Sequence, residues 1–199
     1  MSPEERDRRL AELAGVCRVW GGKADGPGDV TPGLIDLCRE WIKPTDLMAE
    51  VGCCRGVSTR VFACFARFVW AIDPWTMASA MGYIDISAGD LLEAEAEFAL
   101  HAAEYPNILP VRDFSTNAVQ RFPFGSLDAV YLDGAHDLGP FCADVRAWLL
   151  RLKPGGLLMG HDFDKVGKFF AWMNLPPPTR TYPETSWVLK MEDIPWTSL

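Results

Sequence analysis

No apolar run in these 199 residues approaches the ~20 needed to cross a bilayer, so a membrane-spanning helix is not expected. No Cys-x-x-Cys pair is present either. The six cysteines (17, 38, 53, 54, 64 and 142) are scattered, which points to reduced, buried thiols and away from a disulfide or zinc framework. Basic charge is in short supply, with 19 Lys and Arg against 27 Asp and Glu, a formal net charge of -8 and a pI near 4.9. No Lys/Arg stripe offsets that balance, and dense phosphate charge would be repelled, so a small-molecule partner is expected and nucleic acid is not. Repeats and low-complexity segments are missing. The opening MSPEERDRRLAELAG is charged and helical in pattern, unlike a signal peptide or a membrane anchor, so a cytoplasmic protein is expected. With 49% hydrophobic and 23% charged residues, the composition suits one globular domain over 1–199, with 1–45 as an N-terminal helical and lid segment.

What the chain does carry is organised around residues 47 to 73. Leu47 to Val51 reads as a buried strand that breaks at Gly52 into a tight loop ending at Gly56. Ser58 and Thr59 suit the first turn of a helix whose apolar side is Val61, Phe62, Phe65, Ala66 and Val69. A second strand, Phe68 to Ile72, then stops on Asp73, 21 positions past Gly52. Strand, glycine turn, helix, strand and terminal acid form the opening half of a nucleotide-binding α/β fold. Glycines at 52 and 56 permit positive φ and close approach of the backbone to a ligand, with helix-start amides facing bound oxygens. Cys54 stands where a dinucleotide fingerprint has its second glycine, and Glu50 would repel a diphosphate. A carboxylate there suits a cation instead, such as a sulfonium bearing an α-amino group, and Asp73 is placed for both ribose hydroxyls. The alternative at this point is a plain turn in an α/β core with a solvated Asp73.

These residues resemble the first two motifs of class I S-adenosylmethionine-dependent methyltransferases. The resemblance implies that Glu50, Gly52, Cys53, Gly56 and Ser58 hold the methionine part and that Asp73 holds the ribose. Trp75 and Met77, just beyond, cover the adenine or the acceptor unless they are core. Upstream, 3–14 is an amphipathic helix, GGKADGPGDVTP is a loop that serves as a lid or a passive linker, and Thr31 with Pro32 starts a helix that ends before Pro44. Downstream come a helix over Leu91 to Tyr105 and a third strand over Asn107 to Val111. The resemblance sets Asp113 at the adenine amino group with Ser115 nearby; capping a helix from Thr116 to Phe122 is the other reading of Asp113.

A fourth strand, Leu127 to Leu132, ends on Asp133. A helix with Cys142, Val145, Trp148, Leu149 and Leu152 on one side runs to Pro154, and a fifth strand, Leu157 to Gly160, ends on His161 and Asp162. Asp133-Gly134-Ala135-His136, then Asp144 and Trp148, Lys153 to Gly156, and Gly160 to Phe163 are similar to the family of macrolide-sugar and related small-molecule O-methyltransferases, over about Thr31 to Lys190. A helix over Lys165 to Met173 and strands over Thr179 to Tyr182 and Ser186 to Lys190 complete the pattern. The implied fold is a Rossmann-like, doubly wound, mostly parallel seven-stranded sheet with an antiparallel C-terminal hairpin, where a nicotinamide-binding domain would continue in parallel.

The implied reaction moves a methyl group from S-adenosylmethionine to a hydroxyl of a small molecule, a sugar or natural product. Asp133, His136, His161 and Asp162 should converge at the carboxyl ends of two neighbouring strands. His136 is the first choice of general base, with Asp133 shared between donor and acceptor. Relatives hold Mg²⁺ with acids at these strand ends, which map onto Asp133, His161 and Asp162; the imidazole at 161 suits Mn, Fe or Zn better than Mg, so the divalent cation is left as Mg or Mn. Asp144 is expected on a helix face pairing with Arg146 or Lys153, and His101 is expected in solvent. A donor-binding module without turnover and a nucleic-acid methyltransferase are the rival readings, and the chain leaves its oligomeric state open, a homodimer being one option.

Overall fold

The computed structural model describes residues 1–14, 19–20, 23–24, 32–76, 87–183 and 185–195. Helix α1 (Pro3–Leu13) is capped by Ser2, whose hydroxyl accepts from Glu5 N at 3.2 Å, and it buries Leu10 and Leu13. A two-residue pair, β1 (Val19–Trp20) and β2 (Lys23–Ala24), runs antiparallel, with β2 inside the stretch expected to be all loop. Most of the lid segment, Thr31 and Met77 lie outside the described residues. Helix α2 (Pro32–Trp41) opens on a proline whose missing N–H costs a helix start nothing. Strand β3 (Leu47–Val51), helix α3 (Val57–Ala63) and strand β4 (Phe68–Asp73) follow as the sequence pattern requires.

Helix α4 (Ala88–Ala102) begins three residues earlier than its apolar pattern suggested, because Ser87 and Asp90 close a reciprocal capping box. After β5 (Ile108–Arg112) comes a short α5 (Ser115–Ala118) that tightens into a 3-10 turn over Val119–Arg121. Strand β6 (Leu127–Leu132) leads to α6 (Leu138–Leu149) and β7 (Leu152–Gly160). Leu152 is therefore a strand residue and not the end of the helix. It pairs with Leu127 while Leu157 pairs with Ala129, so residues 153–156 are accommodated as an irregularity, with Gly155 at φ +76°. Helix α7 (Phe163–Trp172), β8 (Arg180–Thr181) and β9 (Trp187–Lys190) close the described chain.

The main sheet has the order β5-β4-β3-β6-β7-β9-β8, with β9 antiparallel to β7 and β8 antiparallel to β9, and all other pairings parallel. It is the expected seven-stranded architecture. Side chains alternate between two apolar layers: Met48, Tyr131, Met159 and Val188 face α1 to α4, while Ala49, Val130, Leu158 and Leu189 face α5 to α7. Trp148 and Trp187 are fully buried in the second layer, and burying a side chain of that size stabilises by roughly 1.5–3 kcal/mol or more. The chain winds outward from β3 through β4 to β5, then returns to β6 on the other side of β3. That reversal opens a crevice at the carboxyl ends of β3 and β6. Among the described residues, no helix is long and apolar enough to cross a membrane.

Candidate active site

One wall of the crevice is the loop between β3 and α3. Gly52 N donates to Ile72 O at 2.8 Å, and Gly52 sits at φ +87°. A Cβ on it would lie 2.3 Å from the Asp133 carbonyl oxygen, so the missing side chain makes room for the backbone at the end of β6. Gly56, at φ +79°, is required in the same way by the Phe98 ring, 2.8 Å from where its Cβ would be. Glu50 is fully buried, and its two oxygens accept from the hydroxyls of Ser58 and Thr59. Where the sequence suggested a place at the ligand, the carboxylate braces the first turn of α3, and both hydroxyls are buried with it. Cys53 is buried and its thiol is pushed well up by burial, which makes it an inert filler.

Asp73 fastens the loop from below. Its Oδ2 accepts from Cys54 N at 3.0 Å and its Oδ1 from Trp75 N at 2.9 Å, and burial raises the carboxyl against those two bonds. Trp75 is 5% exposed and donates from Nε1 to the Cys54 carbonyl at 2.9 Å. Trp75 packs on the Phe98 ring as part of the apolar core, the environment that the core reading of this residue expects.

Beyond β5, Asp113 is held by its own helix, accepting from Phe114 N (2.9 Å), Asn117 Nδ2 (3.1 Å) and Arg121 (2.7 Å). It does not cap Thr116, since Phe114 is the cap residue. Ser115 donates to Asp144 Oδ1 at 2.5 Å and accepts from Trp148 Nε1 at 2.8 Å. Asp144 is 7% exposed, and burial pushes its carboxyl up to about 6, with the Ser115 bond opposing. Its expected pairing with Arg146 or Lys153 gives way to this relay, and Lys153 instead meets both oxygens of Asp128 at 2.8 Å. The i, i+4 spacing of Asp144 and Trp148 was the signal that both belong to one buried face.

The opposite wall is formed by the ends of β6 and β7, where the four expected groups meet. His136 Nε2 lies 2.7 Å from Asp162 Oδ2 and 3.9 Å from Asp133 Oδ1. His161 Nδ1 lies 3.6 Å from Asp133 Oδ1 and 3.5 Å from Asp162 Oδ1. Lys165, which the sequence reading passed over although it stands i+3 from Asp162 at a helix start, brings Nζ to 3.0 Å from Asp162 Oδ1. Asp162 takes the left-handed conformation, φ +53° and ψ +40°, which a non-glycine residue adopts at a cost of about 1–3 kcal/mol. Burial would raise its carboxyl, but hydrogen bonds and charge from His136 and His161 outweigh this and hold it far below the usual range. Asp133, His136 and Asp162 each offer a donor atom, all within 4.8 Å of one another. Among the described residues the set that meets in this way contains His136, where His161 was expected. His101 also departs from expectation, its Nδ1 lying 3.0 Å from the Arg55 carbonyl oxygen.

A family model described as "Methyltransferase domain" matches residues 49–163, from inside β3 to the start of α7. Among solved structures, an rRNA methylase from Streptococcus thermophilus is 15% identical with a TM-score of 0.54, the match covering 79% of this chain and 94% of that one. A Streptococcus mutans protein assigned as a methyltransferase and solved in complex with SAH is 12% identical with a TM-score of 0.51, covering 78% and 92%. A precorrin-8w decarboxylase from Methanobacterium thermoautotrophicum is 22% identical with a TM-score of 0.51, covering 71% of this chain and 66% of that chain, just under two thirds of its length. At these identities the likeness is one of fold. No curated protein sequence matches the chain.

Proposed function

The chain belongs to the methyltransferase domain family, and from that premise we propose that it transfers a methyl group from S-adenosylmethionine to a hydroxyl of a small molecule, a sugar or natural product. The observation that carries this reading is the double role of Asp133. Its backbone packs against Gly52 of the donor loop, while its carboxylate lies within 4 Å of both His136 and His161. One residue thus joins the wall expected to hold a donor to the wall rich in proton-accepting groups.

Bound S-adenosylmethionine supplies an electrophilic methyl on a sulfonium. The protein's part is alignment and proton removal. Gly52 to Gly56 shape the donor crevice, and Asp73, whose oxygens each accept one backbone N–H, would accept from the ribose hydroxyls with its remaining lone pairs. His136, its Nε2 directed at Asp162, takes the acceptor proton, and the two carboxylates stabilise the imidazolium that forms. Asp133, His136 and Asp162, with His161 beside them, also make a mixed oxygen and nitrogen set that fits a divalent cation, Mn better than Mg, which would lower the acceptor's pKa. The net charge of -8 supports a small acceptor over nucleic acid.

Calorimetric titration with S-adenosylmethionine, with and without EDTA, tests donor and metal together. Uptake of the donor and release of S-adenosylhomocysteine with one member of a panel of hydroxylated acceptors is the expected result. Binding without release from any acceptor leaves a donor-binding module, and no binding overturns the reading.

A further inference from the structure

The donor loop is gripped from outside by α4, a helix that no motif singled out. Arg55, one position before Gly56, turns its guanidinium toward this helix: Nη1 lies 2.7 Å from Glu97 Oε1 and Nη2 lies 3.7 Å from Glu93 Oε2. The Arg55 side chain is only 11% exposed there, while its partners Glu97 and Glu93 are 40% and 64% exposed, so the pair is half-buried from the loop's side. One turn along, His101 Nδ1 reaches the Arg55 carbonyl oxygen at 3.0 Å. Glu93, Glu97 and His101 are spaced i, i+4 and i+8, a single stripe of one helix face. Beside that stripe, Phe98 lies under Gly56 and meets the Trp75 ring at a centroid distance of 5.0 Å, and Trp75 in turn holds the Cys54 carbonyl. Loop residues 54, 55 and 56 are therefore all fixed by α4, directly or through Trp75.

A helix that merely crosses between β4 and β5 needs apolar contacts with the sheet, which Leu91, Ala94 and Phe98 provide. The polar stripe answers no such need. Its contacts go to the loop's backbone and to the loop's one arginine, and they set the conformation in which the crevice is presented.

We propose that α4 is a clamp on the donor loop and that Arg55 and Glu97 are positioning residues for S-adenosylmethionine, which neither touches. This rests on the donor reading above. The test is the affinity for S-adenosylhomocysteine by calorimetry, with thermal unfolding measured on the same samples. Arg55→Met and Glu97→Gln should each weaken binding about fivefold, the scale of a half-buried charge pair. Exchanging the charges, Arg55→Glu with Glu97→Arg, should restore affinity to within about twofold, because the two effects are coupled through one contact. The loss should also shrink as salt rises to about 0.5 M. Lys153→Met, which breaks a 2.8 Å pair with Asp128 between β6 and β7, should lower stability without moving the affinity. Single variants that bind like the wild type overturn the clamp, as does a charge exchange that stays as weak as the singles while unfolding temperature falls in step. A wild-type chain that takes up no S-adenosylhomocysteine overturns the donor reading and the clamp together.

Discussion

The two walls of the crevice use charged groups in opposite ways. On the donor side, Glu50 and Asp73 are buried and each oxygen receives a hydroxyl or a backbone N–H, so charge is consumed as scaffolding. On the acceptor side, Asp133, His136, His161, Asp162 and Lys165 are held against one another at 2.7 to 3.9 Å, with titratable groups as each other's partners. A frame whose bonds come from hydroxyls and amides is insensitive to protonation elsewhere. A cluster whose members are each other's counter-charges changes when any one of them gains or loses a proton. On the function proposed above, the difference would give rigidity to one wall and proton chemistry to the other.

The largest test strikes where the walls touch. Gly52→Val combines a φ of +87° with a Cβ 2.3 Å from the Asp133 carbonyl oxygen, and should cost about 3–5 kcal/mol in urea unfolding. Near-native stability in that variant would mean that the walls are independent. Next, His136→Gln should leave S-adenosylhomocysteine affinity unchanged while slowing turnover by about 10²–10⁴, the range for loss of a general base. Unchanged turnover would remove His136 from the chemistry, both as base and as a ligand of the cation.

Two carboxyls with opposite shifts sharpen the contrast. Asp144 has its folded value raised to about 6, so its contribution to stability is full below the unfolded value near 4 and is lost as pH rises through 6. The shift corresponds to about 3 kcal/mol, and Asp144→Asn should remove that slope and leave the protein more stable than wild type at pH 8. Asp162 is depressed, so its contribution is full above the unfolded value and fades only as pH falls further into acid. Urea midpoints of wild type and the Asn variant between pH 4 and 8 separate the two. Parallel curves would show that Asp144 is not the buried acid responsible.

How much of this was readable in the chain differs between the walls for a physical reason. Period-2 and period-3.6 patterns report burial, so β3, β4, β6 and β9 were legible to within a residue or two, while α3 ends at Ala63, short of the Phe65, Ala66 and Val69 expected on its apolar side, and Val69 belongs to β4. So was the convergence of Asp133, His136, His161 and Asp162, because strand ends in a doubly wound sheet leave no other place for them. What could not be read was which polar group partners which. Glu50 looks the same in sequence whether it faces a cation or two hydroxyls eight and nine residues on, and Asp144 gave no sign that Ser115, across 29 positions, would take it from Arg146. Tertiary hydrogen bonds join residues whose spacing follows no local period. The capping box of Ser87 and Asp90 was different: it is local, and could have been found.

The smallest expected effect separates the frame from the ligand most cleanly. Glu50→Gln keeps the side chain's shape and one carbonyl oxygen for Ser58 or Thr59, but it replaces charge-assisted bonds with neutral ones and leaves an amide facing a hydroxyl. A bracing role predicts a loss of about 1–2 kcal/mol in unfolding free energy, with donor affinity falling only about threefold as the loop loosens. Had Glu50 been the direct partner of a cationic donor, as the sequence alone suggested, the order would be reversed: affinity would collapse by about a hundredfold while stability held, since a buried, hydrogen-bonded cation contact is worth several kcal/mol and is absent in the empty protein. Calorimetry and urea unfolding on this one variant therefore decide whether the acid at the end of β3 belongs to the scaffold or to the site.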